Sequence, residues 1–202
     1  RNDADLIQPL EVLLTSNDES EVQLTRSVTI PAGEDSIAFA IHAVNDALVD
    51  GTQTVTITAA SSGYADASTA HDVIDDDELA LTITPRPVSI AENGTTTTTV
   101  YRNQADLTGS LEVTLGSNTA GQIQMPTSVT IPVGQSSVDF PIHAVDDDIF
   151  DGTQTVTITA SAAGYADDMA TLEVMDNDVL TLSVTVTPDS VSEAAALPTG
   201  RL

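Results

Sequence analysis

Cysteine is absent from this sequence of 202 residues, so neither disulfide bonds nor thiolate metal sites are available to it. Tryptophan is absent too, and aromatic residues make up only 3% of the chain. A glycosidase needs a sugar-binding cleft, which is usually rich in aromatic side chains, so plentiful carboxylates alone do not indicate one. The sequence also lacks the G-x-S-x-G and H-E-x-x-H motifs of common hydrolases. We therefore expect that the protein is not an enzyme.

Positive charge is almost as scarce. There is no lysine, and 5 arginines stand against 31 acidic residues, which gives a formal net charge of -26. Such a chain repels the phosphates of nucleic acids and of anionic membranes, so we expect neither as a partner. No apolar run approaches the ~18 residues of a membrane span, and nothing resembles a signal peptide. We expect the termini to be cuts within a longer polypeptide that works with divalent cations or high salt.

What the chain does have is an internal repeat. A shift of 101 residues aligns the sequence with itself without gaps, so that Arg1 falls on Arg102. The segment Asp50 to Ala59 is identical to Asp151 to Ala160, and Gly63 to Asp66 is identical to Gly164 to Asp167. Repeats of one structural unit explain such self-similarity, and the chain contains two whole periods of it.

Alternation of apolar and polar residues with period two is the dominant local pattern. Val138, Phe140 and Ile142 face one way, for example, while Asp139 and His143 face the other. Valine, isoleucine, leucine and alanine supply most of the 41% apolar content, which is enough for a core of β-branched residues. About seven short strands in each ~100 residues, with turn signals between them, are typical of a sandwich. The sequence predicts an all-β fold of tandem immunoglobulin-like β-sandwiches.

The repeat also predicts the module boundaries. Residues 1–77 form a module that lacks its first two strands, residues 78–178 form a complete module, and residues 179–202 form the first two strands of a third. A half-sandwich exposes its apolar inner face and an unpaired strand edge. We hypothesise that the tail of one copy completes the first module of another, which gives head-to-tail chains. Alternatively, these strands are continuous in a longer parent, or the tail folds back within the chain.

Acidic turns precede each of the two identical segments. The turn Asp146 to Asp151 reads DDDIFD, and its earlier copy, Asn45 to Asp50, reads NDALVD. Carboxylates this close repel one another unless a cation lies among them, and carboxylate and carbonyl oxygens are the ligands that calcium prefers. An EF-hand loop is excluded, because Phe150 and Asp151 stand where a ligand and the obligatory glycine belong. The alternative is that these turns are simply soluble hairpin tips, since aspartate and asparagine favour turns.

The acidic turn, the strand after it, and the DND triplet at Asp176 to Asp178 resemble the Calx-β domain family. That family includes the calcium-binding regulatory domains of sodium–calcium exchangers, and it also occurs in integrin β4 and in long bacterial surface proteins. The resemblance covers one complete module, residues 78–178, and the two partial modules beside it. It implies a calcium site at one end of the sandwich, with a glutamate after the first strand as a further ligand.

The resemblance implies a set of ligands in each module. In the complete module these are Glu92, Asp146, Asp147, the carbonyl of Ile149, Asp151, Asp176 and Asp178. In the first module they are Asp46, Asp50, Asp75, Asp76 and Asp77, with the missing glutamate supplied by a position like Glu193. This chain departs from the family where an acidic ligand between two strands falls near Gly121 and Ser20. It departs again at Gln154, Gln53, Asn177 and Asn45, and these losses imply fewer ions, one or two.

The function predicted from all of this is that of a calcium-binding structural or adhesive repeat. It would belong to a long extracellular bacterial surface or filament protein, whose modules and junctions are stiffened by calcium. The expected partners are neighbouring modules or further copies of the same protein, without insertion into a membrane. The alternative is a calcium-sensing regulatory module of a transporter or enzyme, which would need much tighter and reversible binding. A carbohydrate-binding adhesin tip would need a specific cleft, which the sequence does not indicate.

Overall fold

The computed structural model describes residues 1, 6–119, 121–187, 190, 192–193 and 199–201. Within these residues, β-strands joined by turns and loops are the regular secondary structure, and there is no helix. The first module contains β1 (Leu10–Ser16), β2 (Val22–Leu24), β3 (Ser27–Ile30), β4 (Ile41–Ala43), β5 (Gln53–Ala60) and β6 (Ala67–Val73). The second contains β7 (Leu81–Arg86), β8 (Ser89–Ala91), β9 (Thr95–Arg102), β10 (Leu111–Ser117), β11 (Ile123–Gln124), β12 (Ser128–Ile131), β13 (Ser137–Ala144), β14 (Gln154–Ser161) and β15 (Asp168–Met175). The tail contains β16 (Thr185–Thr187) and β17 (Thr199–Arg201). The all-β prediction is confirmed.

The second module is a sandwich of two sheets. One sheet has the strand order β12-β10-β14-β15-β8 and the other has the order β11-β13-β9-β7. All neighbours are antiparallel except β15 and β8, which run parallel with Val174 opposite Ile90. The opening strand of the module therefore divides at Pro87, so that β7 belongs to one sheet and β8 to the other. This parallel pair determines where the acidic residues that follow β8 and β15 lie.

The core lies between these two sheets and is built almost entirely from aliphatic residues. Period-two alternation puts one face of each strand inward, and the inward side chains of all the longer strands are buried. The core residues are Leu81, Ile83, Ile90, Val100, Val113, Leu115, Ile123, Ile131, Phe140, Ile142, Ala144, Val156, Ile158, Ala160, Leu172 and Val174. One phenylalanine among fifteen aliphatic residues explains why the module folds without tryptophan.

Over its described residues, the first module repeats this architecture without strands that correspond to β7, β8 and β9. Its sheets have the orders β3-β1-β5-β6 and β2-β4. In the second module β13 spans eight residues against β9, whereas its counterpart β4 spans three. Phe39 is 37% exposed where Phe140 is 2% exposed, and Ile41 is 39% exposed where Ile142 is fully buried. The apolar inner face of this sheet is therefore uncovered in the described structure.

The tail makes no strand pairing with the first module over its described residues. β16 and β17 pair with each other as an antiparallel hairpin. Leu180 is 82% exposed and Leu182 is 93% exposed, although both carry the alternating pattern of a half-buried strand. The division into modules at residues 77 and 178, and the question of what covers the tail, stay predictions.

The joint between the modules is held by the acidic turn of the first. The backbone N–H of Val49 donates to the carbonyl of Asn103 at 2.8 Å, and Ala105 donates back to Val49 at 3.0 Å. The side chain of Asn103 donates to the carbonyls of Ala47 at 2.9 Å and Glu78 at 3.0 Å, and accepts from the N–H of Ala80 at 2.8 Å. Asn103 thus connects the turn, the linker and the second module.

Substitutions on β15 test the packing. Leu172→Ala removes a fully buried side chain and leaves a cavity, so we expect a loss of about 2–5 kcal/mol in the free energy of unfolding. Met169→Ala, on the same strand but 67% exposed, is the matched control and should change it by less than about 0.5 kcal/mol. Urea unfolding followed by far-UV circular dichroism measures both. Equal effects of the two substitutions would contradict the described register of β15.

Candidate metal centre

Three acidic segments meet at the end of the second module that lies away from the first. Because β15 runs parallel to β8, the residues that follow the two strands emerge at the same edge. The N–H of Glu92, directly after β8, donates to the carbonyl of Met175 at 3.0 Å. The turn after β13 joins them there, since the N–H of Ala144 donates to the carbonyl of Gly94 at 2.9 Å. Topology therefore assembles residues that are up to 86 positions apart (Glu92 and Asp178) in the sequence.

Glu92 follows β8 in a tight turn whose last residue, Gly94, has no room for a side chain. Asn93 has a φ of 61°, and a Cβ on Gly94 would lie 2.7 Å from the carbonyl oxygen of Ala91. This tight turn fixes the glutamate, whose side chain is only 4% exposed. A glutamate this buried is uncommon without a partner of opposite charge.

Glu92, Asp147 and Asp178 form a compact group of oxygens. One carboxylate oxygen from each lies within 4.8 Å of the others. Calcium binds oxygen at ~2.3–2.6 Å, so two ligands of one ion are at most about 5 Å apart. The three oxygens therefore fit around a single calcium ion. With neither cysteine nor histidine in the group, the donors do not favour zinc or copper.

The carboxylates of this group raise one another's pKa values because they are close together and partly shielded from solvent. Burial raises the pKa of Asp178, and the carboxylates of Asp176, Asp148, Asp147 and Asp146 raise it further. Burial likewise raises the pKa of Glu92, opposed by a hydrogen bond from the backbone of Asn177 and reinforced by three neighbouring aspartates. That hydrogen bond is long, at 3.4 Å to Oε2. A cation among these carboxylates would favour their ionised forms and so oppose both shifts.

Asp176 has a different role from its neighbours. Its Oδ2 accepts from the N–H of Gly152 at 2.6 Å, and its Oδ1 accepts from the N–H of Asp178 at 2.7 Å. These backbone donors lower the pKa of Asp176. Gly152 has a φ of 77°, a conformation that glycine adopts easily and that directs its N–H at the carboxylate. Asp176 therefore connects the acidic turn to the triplet, with or without a metal.

The other predicted ligands of this module lie around the group rather than in it. The turn that carries them is shaped by Asp147, the member of the group whose Oδ1 accepts from the N–H of Ile149 at 2.8 Å. Asp146 Oδ1 accepts from the side-chain amide of Asn177 at 3.1 Å. Asp151 is exposed and its carbonyl accepts from Gln154 at 3.2 Å, while Ile149 is 62% exposed. Of the ligands predicted for this module, the structure brings Glu92, Asp147 and Asp178 close together. The other predicted ligands lie outside this group.

Two buried oxygens at this end have no hydrogen-bond donor. They are Oδ2 of Asp178 and Oε1 of Gln122. Gln122 is held beside the turn, since its carbonyl accepts from the N–H of Val145 at 2.9 Å. A buried acceptor without a donor costs free energy, and a cation bound by the group would satisfy Oδ2 of Asp178. Gln122 was missed from the sequence, although it directly follows Gly121, where the family resemblance placed a ligand.

The first module repeats the connection between turn and triplet. Asp75 Oδ2 accepts from the N–H groups of Asp50 at 2.9 Å and Gly51 at 2.7 Å, and its Oδ1 accepts from Asp77 at 2.9 Å. Asp46 Oδ1 accepts from the N–H of Leu48 at 2.7 Å. Burial raises the pKa of Asp77, and the carboxylates of Asp75, Asp76, Asp46 and Asp50 add to the effect.

Glu21 is a second residue that the sequence did not reveal. It lines the same cavity as Asp46, Asp50, Asp75, Asp76 and Asp77. Burial raises its pKa, followed by the charges of Asp50, Asp18, Asp46 and Asp75. It corresponds to Gln122 and directly follows Ser20, so the predicted acidic position was one residue away. Among the described residues, three close carboxylate oxygens occur only in the second module, and Glu193 lies exposed in the tail.

The sequence matches no family model and no curated protein. Similar solved structures include the apo-form Calx CBD1 domain, at 17% identity over 50% of this chain and 100% of that one, with a TM-score of 0.39. The calcium binding domain CBD12 of CALX1.1 is 16% identical over 78% of this chain and 70% of that one, with a TM-score of 0.34. The protocadherin GammaB4 extracellular domain is 15% identical over 89% of this chain and 28% of that one, with a TM-score of 0.41. Likenesses this distant carry no ligand or function over to the chain.

Replacing Asp178 or Asp176 by asparagine tests whether the two aspartates have different roles. In EDTA, Asp178→Asn should raise the melting temperature, because it removes a partly buried charge from a group of like charges. Asp176→Asn should lower it, because the backbone donors of Gly152 and Asp178 then lose a charged acceptor. Differential scanning calorimetry of both variants checks this. The same sign for both would contradict the assignment.

The pH dependence of the first effect follows from the raised pKa of Asp178. As the pH falls through that pKa, the wild-type carboxyl gains a proton and becomes neutral like asparagine. The difference in melting temperature between wild type and Asp178→Asn should therefore be largest at neutral pH and shrink in acid. Scans at several pH values in EDTA measure it, and a difference that grows in acid would contradict the stated cause.

Proposed function

We propose that the chain is a calcium-binding structural or adhesive repeat of a long extracellular bacterial surface or filament protein. The observation that carries the proposal is the group of Glu92, Asp147 and Asp178, with three carboxylate oxygens within 4.8 Å of one another. Two buried oxygens at the same end, Oδ2 of Asp178 and Oε1 of Gln122, accept no hydrogen bond, which further supports the proposal. The Calx-β resemblance of the acidic turn and triplet supports the same ligand.

Calcium would act on stability because it binds the folded state. Without the ion the like charges at the end of each module destabilise the fold, and with it they become ligands. Binding to the folded state alone stabilises by about 2.7 kcal/mol at a hundredfold excess over Kd. Extracellular calcium is millimolar, so sites with a Kd of roughly 10⁻⁴–10⁻³ M are partly filled there. A surface setting therefore needs only modest affinity from few ligands.

Calcium would act on shape through the joint. The turn that contains Asp46 and Asp50 is also the turn that pairs with Asn103 and Ala105 of the next module. An ion among its carboxylates would restrict the turn, and through its hydrogen bonds the angle between modules. Repetition of this joint would give a long chain whose stiffness depends on calcium. That is the behaviour expected of a structural filament rather than of an enzyme.

The alternative is a calcium-sensing regulatory module of a transporter or enzyme. A sensor must bind calcium at submicromolar to micromolar concentrations and change conformation reversibly. Gln122 and Asn177 stand where further carboxylates would raise the affinity, so the second module carries a weaker donor set than a sensor needs. Isothermal titration calorimetry distinguishes the two functions, because a Kd below about 10⁻⁶ M would favour the sensor.

Thermal unfolding with and without calcium tests the proposal. At a hundredfold excess over Kd, calcium should raise the melting temperature of the second module by roughly 10–20 °C. Asp178→Asn should remove most of this rise, while Asp168→Asn, on β15 but away from the acidic end, should leave it unchanged. An equal rise in wild type and Asp178→Asn would contradict the site.

Stiffening of the joint needs a separate measurement. Spin labels on the two modules, read by double electron–electron resonance, should give a distance distribution that narrows when calcium is added. Asn103→Ala removes the hydrogen bonds that the Asn103 side chain donates to the turn at Ala47 and to the linker at Glu78, and it should leave the distribution broad in both states. Asn118→Ala is the matched control, because Asn118 accepts from Thr157 within the second module. Identical widths with calcium and with EDTA in wild type would contradict the mechanism.

A further inference from the structure

We propose that Asn93 is a site of spontaneous deamidation, and that its isoaspartyl product inactivates the calcium site beside it. Asn93 and Gly94 directly follow Glu92, the buried member of the oxygen group. Asparagine followed by glycine is the pair in which this reaction is least hindered, because glycine has no Cβ to block the approach of its nitrogen. The modification site is argued from the turn alone, whereas its effect on calcium rests on the function proposed above.

The reaction needs no partner other than water. The backbone nitrogen of Gly94 loses its proton to a base in the solvent and attacks Cγ of Asn93. A succinimide ring closes, and the nitrogen of the side-chain amide leaves as ammonia. Water then opens the ring at either of its two carbonyls, which gives aspartate or isoaspartate. One water is consumed and one ammonia is released, and no oxidant or reductant takes part.

Asn93 differs from the other asparagines that the structure describes. Each of the others is followed by a residue with a Cβ, and each has its side chain in a hydrogen bond. They are Asn17, Asn45, Asn103, Asn118 and Asn177. The side chain of Asn93 is exposed and makes no hydrogen bond within the described part of the chain. Its amide is therefore accessible to water and unrestrained, and its neighbour is glycine.

The geometry of the turn requires this reactive pair. Asn93 has a φ of 61°, in the left-handed region that asparagine enters more easily than most residues with a side chain. A Cβ at Gly94 would lie 2.7 Å from the carbonyl oxygen of Ala91, so only glycine fits there without a shift of the backbone. The turn that positions Glu92 is therefore built from the two residues most prone to deamidate in sequence.

Hydrogen bonds of the closed turn restrain the reaction. The N–H of Gly94 donates to the carbonyl of Ala91 at 2.9 Å, and the carbonyl of Gly94 accepts from the N–H of Ala144 at 2.9 Å. The attacking nitrogen must leave the first bond before it loses its proton, so the turn must open. Repulsion between Glu92 and its neighbouring aspartates favours opening. A calcium ion held by Glu92 would keep the turn closed and so protect the amide.

Isoaspartate would displace Glu92, because it adds one carbon atom to the main chain between residues 93 and 94. The turn is fixed on both sides of that point. The N–H of Glu92 donates to the carbonyl of Met175 at 3.0 Å, and Gly94 accepts from Ala144. A longer main chain cannot keep both bonds in a turn that has no room for an added Cβ. The product also places a new carboxylate beside Glu92, where like charges already meet.

Ageing of the purified protein tests the proposal. Wild type is incubated at mildly alkaline pH in EDTA and in calcium at a hundredfold excess over Kd. Peptide mass spectrometry follows every asparagine, and an isoaspartyl methyltransferase detects the isoaspartate. We expect Asn93 to be the main site of modification in EDTA. Calcium should slow its loss by about a hundredfold, because the ion lowers the population of the open turn by that factor.

Asn118 is the internal control, since it is exposed but is followed by threonine and accepts from the N–H of Thr157. Modification of Asn93 in EDTA no faster than that of Asn118 would overturn the site. Titration calorimetry of the same sample separates this proposal from the proposed function. A sample that binds calcium but loses the Asn93 amide equally fast in both buffers overturns the protection. A sample that binds no calcium overturns the proposed function, while selective loss at Asn93 in EDTA still supports the modification site.

Two variants show whether isoaspartate is what inactivates the site. Asn93→Gly tolerates the positive φ and cannot form the succinimide, so its Kd for calcium should be the same before and after ageing. Wild type should lose calcium binding in proportion to its isoaspartate. Freshly purified Asn93→Asp adds the charge without lengthening the main chain, so it should bind calcium more tightly than aged wild type. An aged wild type that contains isoaspartate and keeps its Kd would overturn the inactivation.

Discussion

Repulsion among carboxylates at the end of each sandwich is the constraint on which the rest of the structure depends. The parallel pair β8–β15 brings the residues after both strands to one edge, and the turn after β13 closes over them. Backbone donors satisfy Asp176 and Asp75, which lowers their pKa values. They leave Glu92, Asp178 and Asp77 with raised pKa values. Part of the acidic end is therefore structural, and part is available to a cation.

Because the two modules repeat one sequence, their structures can be compared position by position. The connection between turn and triplet is the same in both, with Asp75 and Asp176 accepting from the glycine of the turn. What differs follows from strands β7, β8 and β9, which have no counterpart among the described residues of the first module. Without β9, Phe39 and Ile41 are exposed and β4 is short. The described residues of the first module include no counterpart to Glu92, and Glu21 adds a carboxylate to the cavity there.

Much of the fold was predictable, because the alternation of apolar and polar residues shows which face of each strand is buried. The inward faces of β13 and β14 are those that the pattern predicted, and the Glu92, Asp147 and Asp178 group lies at the predicted end. Gln122 and Glu21 were missed, because their roles depend on which strand lies beside the turn rather than on local pattern. Nor did composition reveal that Asp176 would be held by backbone donors, since that depends on the conformation of Gly152.

The central claim is that calcium lies among Glu92, Asp147 and Asp178. A crystal structure of the protein grown in millimolar calcium tests it most directly, with anomalous scattering to identify the ion. The account predicts an ion at ~2.3–2.6 Å from oxygens of these three side chains, with the unpaired oxygens of Asp178 and Gln122 turned towards it. The same end of the module containing only water, with the three carboxyl groups unchanged in position, would contradict it.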